Sequence, residues 1–207
     1  MKDTYHSLKA FLPEKGENRN FLLEDCEFGY RDSVFKNSLK GKAIITEVTL
    51  CLKKPPHKIE NSYYALREYF QTKSIDEPSI RDVFDAVVEI RESKLPNPEL
   101  IGNAGSFFKN PIVGDSVYRK LKAEYPKIPS FEAGNGKIKI PAGWLIEQAG
   151  WKGKRIGNVG TYKNQALVLV NHGGATGEEI YEHAMTIRES VKDQFGIELA
   201  PEVNVIS

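Results

Sequence analysis

Apolar and polar positions alternate with a period near two over the first fifty residues, and the period changes afterwards. Thr4 to Phe11 alternates roughly, Pro13 to Asn18 with Gly16 reads as a turn, and Arg19 to Leu23 can return as a partner strand. Ala43 to Leu52 (AIITEVTLCL) is the run densest in β-branched residues and predicts the best strand of the chain, with Pro55-Pro56 as its breaker. Beyond it the spacing becomes helical. Ser79 followed by Asp82 predicts a capping box, and Ile80, Val83, Phe84, Val87 and Val88 keep a 3.6-residue period. The stretch Lys94-Leu-Pro96-Asn-Pro98 stops that helix and marks the expected domain boundary.

Helices and strands mix in the second half. Asp115 to Tyr125 reads as a helix ended by Pro126, and Gly134-Asn-Gly136 as a turn into the short strand Lys137 to Ile140. Pro141 suits the first turn of a helix reaching Ala149. Tyr162 to Asn164 reads as a turn into a strand from Gln165 to Val170. The strongest helix is Thr176 to Phe195: Thr176 and Glu179 form a capping box, Ile180, Ala184, Ile187, Val191 and Phe195 share a face, and Gly196 supplies the stop. A last strand is expected over Val203 to Ile206. The pattern is α+β in two compact units, with no internal repeat.

At 207 residues the chain can bury a real core. The net charge of +1 argues against nucleic acid as the main partner, because no basic excess exists to neutralise phosphates. Cys26 and Cys51 form no CxxC pair and no metal spacing, and read as buried free thiols in a reducing compartment. The four histidines are scattered and suggest no metal site. No run approaches the ~18 apolar residues of a membrane span, and the first residues carry no apolar signal region, so a cytoplasmic protein is expected.

The most informative stretch is Gly102-Asn-Ala-Gly-Ser-Phe-Phe-Lys-Asn-Pro111. Glycine permits close approach of a ligand or another backbone. Ser106, Lys109 and Asn110 would be costly to bury without partners. Gly/Asn/Pro clusters are most often ordinary turns, but a plain turn has no use for Phe107-Phe108 beside a serine and a lysine, so the run reads as a ligand-lined loop. It also resembles the signature of the UDP-N-acetylenolpyruvoylglucosamine reductase (UDP-N-acetylmuramate dehydrogenase) family. Cys26-Glu-Phe-Gly-Tyr-Arg-Asp-Ser-Val-Phe-Lys36 resembles a second family segment. Lys94-Leu-Pro, Ala142-Gly-Trp-Leu-Ile-Glu-Gln148, Asn164-Gln-Ala-Leu-Val168 and Pro201-Glu-Val203 follow in the family's order. The combination covers essentially the whole chain and is highly specific.

The resemblance implies a flavoenzyme of peptidoglycan precursor synthesis in which NADPH reduces FAD and the enolpyruvyl ether of a UDP-sugar is then reduced. It also implies an organisation in which 1–94 is the remainder of an FAD-binding domain, mostly strands, 95–195 is a compact α+β substrate-binding domain, and 196–207 is a C-terminal strand returning toward the active site. The N-terminal flavin-binding region of family members has no counterpart in these residues. The isolated chain is accordingly expected to be an incomplete, inactive form with unassigned cofactor contacts, and its oligomeric state is open.

Reduction of an α,β-unsaturated carboxylate builds negative charge that spreads onto the carboxylate, so the site needs a cation there and an acid to protonate carbon. Arg31 and Glu202 match the family's carboxylate-polarising pair, and Ser106 its proton donor. Serine is a weak acid and needs a neighbouring cation, for which Lys94 or Lys109 is available. An arginine fork suits a carboxylate, although Arg31 alone would read more simply as a surface ion pair with Asp32 or Glu27. Glu202 alone would read as an edge-strand solubility residue. Tyr63 aligns best with a family tyrosine that closes over the diphosphate, with Tyr64 as its near rival. Lys94, Asn110, Lys139 and Gln165 match substrate-binding positions, and Phe131 stands where a tyrosine is usual. Two other patterns fail on inspection. Ala104-Gly-Ser-Phe-Phe108 lacks the Gly-x-Ser-x-Gly of a nucleophile elbow, and Glu178 and Glu179 would repel an anion at the Gly173–Gly177 helix entry. A stand-alone UDP-sugar-binding module without redox activity is the alternative reading.

Overall fold

The computed structural model describes residues 2–59 and 63–206; Ser62, Met1 and Ser207 lie outside the described residues. The backbone parts into two compact units, Met1–Glu60 and Asn61–Ser207. The proline pair at 96 and 98 lies inside the second of these.

In the first unit β1 (Tyr5–Leu12) is the centre of an antiparallel sheet, flanked by β2 (Glu17–Phe21) and β3 (Ile44–Leu50). The period-two pattern turns Leu8, Ala10 and Leu12 to one face, where they are buried with Phe21 and Cys26. Each large apolar side chain removed from water contributes about 1.5–3 kcal/mol. Phe28 and Phe35 pack edge-on against Tyr5 and Phe21, each at 5.1 Å between ring centroids. The Tyr5 hydroxyl donates to the Phe21 carbonyl at 2.8 Å and lies 3.1 Å from the Cys26 sulfur. β3 forms as its composition predicts, but at the sheet edge, and all seven of its residues are exposed. Cys26 is buried as expected, whereas Cys51, just past β3, is exposed.

The second unit opens with a helical hairpin, α1 (Tyr64–Thr72) and α2 (Ile80–Lys94). The Ser79–Asp82 capping box forms, and its hydrogen bonds from the Ser79 side chain and backbone hold the Asp82 carboxyl below the usual carboxylate range. The expected apolar face of α2 is corrected: Ile80, Phe84, Val87 and Val88 are exposed. Of the expected face Val83 packs, and with Ala86 and Ile90 it meets Leu66 and Phe70.

A four-stranded sheet follows in the order β4 (Gly102–Ser106), β10 (Val168–Asn171), β9 (Val159–Thr161) and β8 (Arg155–Ile156). A small sheet joins β5 (Ile112–Gly114), β7 (Lys137–Lys139) and β6 (Phe131–Glu132). Helices α3 (Asp115–Glu124), α4 (Ala142–Gln148) and α5 (Gly177–Phe195) pack into the main core with residues of the strands and connections. In α5 the capping box at Thr176 and the left-handed Gly196 stop both form, and Ala184, Ile187, Val191 and Phe195 are buried on the expected face. The strand expected over Val203 to Ile206 does not form: those residues are outside any strand, and pairing is confined to a bridge between Pro201 and Phe108. Proline has no N–H to extend the ladder.

Candidate active site

The Gly102–Pro111 run is part strand and part connection. Its first half is β4, the edge strand beside β10. Three residue steps from Asn103 to Ser106 face two from Val170 to Val168, so a bulge sits at Ala104–Gly105. Gly105 takes φ +70°, the conformation that such a bulge requires. The Asn103 side-chain oxygen accepts the Gly105 N–H at 3.0 Å and locks it. A bulge re-aims the side chain that follows it, here Ser106, which is exposed.

Phe107 and Phe108, expected to line a ligand, do something else. They are 4% and 1% exposed and sit in the main core. A serine in the open is thereby followed by two anchors. The return segment fixes the same backbone: Lys109 N–H donates to the Ala200 carbonyl at 2.9 Å, and Glu202 N–H to the Phe107 carbonyl at 2.7 Å. Glu202 is therefore held across from the residue that follows Ser106.

A second cluster surrounds a cavity of ≈ 280 Å³. Tyr63, Lys94 and Gln165 line it with Arg91 over a floor that includes Leu66, Val87 and Ile90. Tyr64, the rival tyrosine, is the first residue of α1 and is not among the lining residues. Arg91 and Lys94 occupy the last turn of α2, where cations complement the helix dipole even without a ligand. The Asn164 amide donates to the Ser93 carbonyl at 3.0 Å and ties that helix end to the turn bearing Gln165. Both clusters meet through this turn, since Phe107 N–H donates to the Leu167 carbonyl at 2.8 Å.

Asn110 and Lys139 flank the start of α4. The Asn110 side-chain oxygen accepts the Ala142 N–H at 2.9 Å, so any ligand contact falls to its amide nitrogen. Lys139 pairs in register with both Ile112 and Phe131, and its ammonium stands 5.7 Å from the exposed Phe131 ring. The Gln165 oxygen would lie 3.2 Å from a Cβ placed on Gly143, so it approaches α4 closely at a glycine. Arg31 belongs to the first unit, where it occupies the second central position of a tight turn between Gly29 and Asp32.

Sequence reasoning missed Arg91 and Asn164 as site residues. The i, i+3 spacing of Arg91 and Lys94 ahead of the proline stop was a usable signal for the first. Among the described residues no group of histidine, cysteine and carboxylate side chains could hold a metal ion. No helix among them is long and apolar enough to cross a membrane.

A sequence model described as the UDP-N-acetylenolpyruvoylglucosamine reductase C-terminal domain matches residues 96–206. The enzyme of that name from Flavobacterium johnsoniae is 47% identical over 206 residues, covering 100% of this chain and 61% of its own length. The Amoebophilus asiaticus protein is 48% identical over 204 residues, covering 99% and 60%. The crystal structure of the Thermus caldophilus UDP-N-acetylenolpyruvylglucosamine reductase superposes with a TM-score of 0.57 at 22% identity, over 98% of this chain and 53% of the other. That structure supports the α+β fold. The chain spans about three-fifths of the length of these curated relatives. With its bulged Ser106 strand and its matched C-terminal-domain sequence, the chain belongs to the UDP-N-acetylenolpyruvoylglucosamine reductase family.

Proposed function

We propose that this chain is the substrate-binding and proton-donating portion of an enzyme that reduces UDP-N-acetylglucosamine enolpyruvate to UDP-N-acetylmuramate, with FAD and NADPH, for peptidoglycan synthesis. The observation that carries the reading is the meeting of Tyr63, Lys94 and Gln165, three residues far apart in sequence, at one cavity. The adjoining Leu95–Pro98 hollow of ≈ 590 Å³ shares Arg91 and Leu95 with it, which extends the trough toward the size of a nucleotide sugar. Lys94 and Arg91 supply charge for a diphosphate, and Gln165 and the Asn110 amide supply directional contacts.

Taken alone, neither the small cavity nor the hollow on α5 is suited to a flavin. The ≈ 280 Å³ cavity is at the bottom of the range of ligand pockets, about 300–1,000 Å³. The larger hollow on α5, ≈ 850 Å³, is edged by Glu189 and Asp193, whose charge opposes a pyrophosphate. The chain's own contribution is to bind the nucleotide sugar, to meet the enolpyruvyl carboxylate through Glu202, and to deliver a proton from the Ser106 Oγ to carbon, while Arg31 is read as the carboxylate-polarising cation carried by the first unit. A UDP-sugar-binding module without redox activity is the second reading. It is favoured by the second unit's own core and cavity.

Titration of the chain with UDP-N-acetylglucosamine, followed through backbone amide shifts, tests the site. Shifts concentrated at Gly102–Asn110 and Lys139 support it, and substitution of Lys139 or Asn110 weakens them. Shifts confined to His172–Gly177, or an equal response to sulfate, remove the basis for a nucleotide-sugar site.

A further inference from the structure

Arg31 is a backbone outlier. Its φ is +54°, in the left-handed region that an arginine rarely enters. Gly29 N–H donates to the Asp32 carbonyl at 3.0 Å and Asp32 N–H to the Gly29 carbonyl at 3.5 Å, so Tyr30 and Arg31 are the central residues of a two-residue turn. Positive φ at the second of these only is the pattern of a type II turn, where glycine or asparagine ordinarily stands. A strained conformation survives only when its surroundings over-determine it.

Those surroundings are specific. The Lys36 ammonium donates to the Arg31 carbonyl at 3.2 Å. The Asp32 carboxylate accepts the Ser33 N–H and the Asn37 amide, both at 3.0 Å, and the Asn37 amide also donates to the Ser33 carbonyl at 3.0 Å. Lys36 and Asn37 are set by the single 3-10 turn Val34–Lys36, whose Phe35 packs against Phe21 in the core of the first unit. A core aromatic thus anchors a turn that reaches back with a cation and an amide to hold the preceding turn.

We infer that Asp32, Lys36 and Asn37 are positioning residues that hold Arg31 in its left-handed conformation and so fix the origin of its guanidinium for the substrate carboxylate. The inference rests on the reading of Arg31 as a carboxylate-polarising residue. It gives Asp32, Lys36 and Asn37 of this segment a mechanical reason. An arginine is kept where glycine would be easier because its side chain is needed there, and the clamp holds the backbone that arginine disfavours.

The test has two arms. In the 207-residue chain, Lys36→Met and Asn37→Ala shift the Arg31 Hα and Cα resonances from left-handed toward extended values. The Phe21 and Phe35 ring signals stay in place as a control for folding. Lys36→Arg, which keeps a charged donor, restores the Arg31 signals, and Arg31→Gly raises the thermal midpoint by relieving the strain. In the full-length reductase carrying this segment, Lys36→Met lowers kcat by about 10–10²-fold with KM little changed, as expected for misplacement of a group acting in the transition state. Arg31 resonances indifferent to both clamp variants, or an Arg31→Gly chain no more stable than its parent, overturn the positioning role. Resonances that move while Arg31→Gly leaves turnover intact overturn the assignment of Arg31 itself. The first failure is read without substrate, so the two are distinct.

Discussion

Ser106 is exposed while Phe107 and Phe108, its immediate successors, are buried, so one short run holds an open hydroxyl and two anchors. In the full-length reductase, Ser106→Ala should leave cofactor reduction by NADPH nearly unchanged and slow reduction of the enolpyruvyl substrate by about 10²–10⁴-fold. Stopped-flow measurement of the two half-reactions separates them, and equal loss in both would make Ser106 structural. A second residue couples the core to pH. His183 is buried edge-on against Trp151, its Nε2 has no hydrogen-bond partner among the described residues, and burial followed by the nearby Lys154 charge pushes its pKa down. The unfolded imidazole takes a proton near 6.5, while the folded one resists it. The unfolded state therefore binds more protons in the interval between the two pKa values. This contribution to stability is complete above about pH 6.5 and is lost as pH falls toward the depressed folded value. Thermal midpoints measured from pH 8 to 5 should decline across that window, and His183→Phe should flatten the decline. An identical slope in the variant would assign the effect to other groups.

At the scale of elements, the bulge in β4 re-aims the residue that follows it in the signature run. Gly105 has open space around its Cβ position but a positive φ, so Gly105→Ala meets conformational strain and no clash. It should cost about 1 kcal/mol and impair Ser106 function beyond that loss, measurable as a fall in denaturant midpoint together with a lower rate of substrate reduction. A loss of stability with an unchanged rate would show that the bulge does not aim the serine. How much of this was readable from sequence depended on range. α5 was, from Thr176 to Gly196, because caps and stripe are local signals. β4 read as a loop because its ladder partner β10 lies over sixty residues away, and Gly and Asn announce turns more strongly than an edge strand. The apolar stripe of α2 was misread because a moment gives a direction and not the partner that fills it. Phe107 and Phe108 read as ligand contacts because composition does not distinguish a lining from an anchor. The site residues came from family resemblance, and their chemistry alone would have left Lys94, Lys139 and Gln165 among ordinary surface groups.

For the whole molecule, each of the two units has its own buried cluster. The purified 207-residue chain should emerge from desalting with little or no flavin absorbance, because no glycine-rich loop cradles a pyrophosphate among the described residues. A yellow protein with stoichiometric flavin would sink that expectation. The pinning of Phe107 and Lys109 by Ala200 and Glu202 has a consequence for how the protein is made. A ribosome adds about 5–20 residues per second, and the pinning segment follows the serine by nearly a hundred residues. Each nascent chain accordingly carries two large aromatic rings for about 5–20 s before the strap that secures their backbone has been translated. During that interval the signature run is a stretch of exposed apolar surface, open to capture by a chaperone, and the backbone after Ser106 acquires this support only once Ala200 and Glu202 have been made.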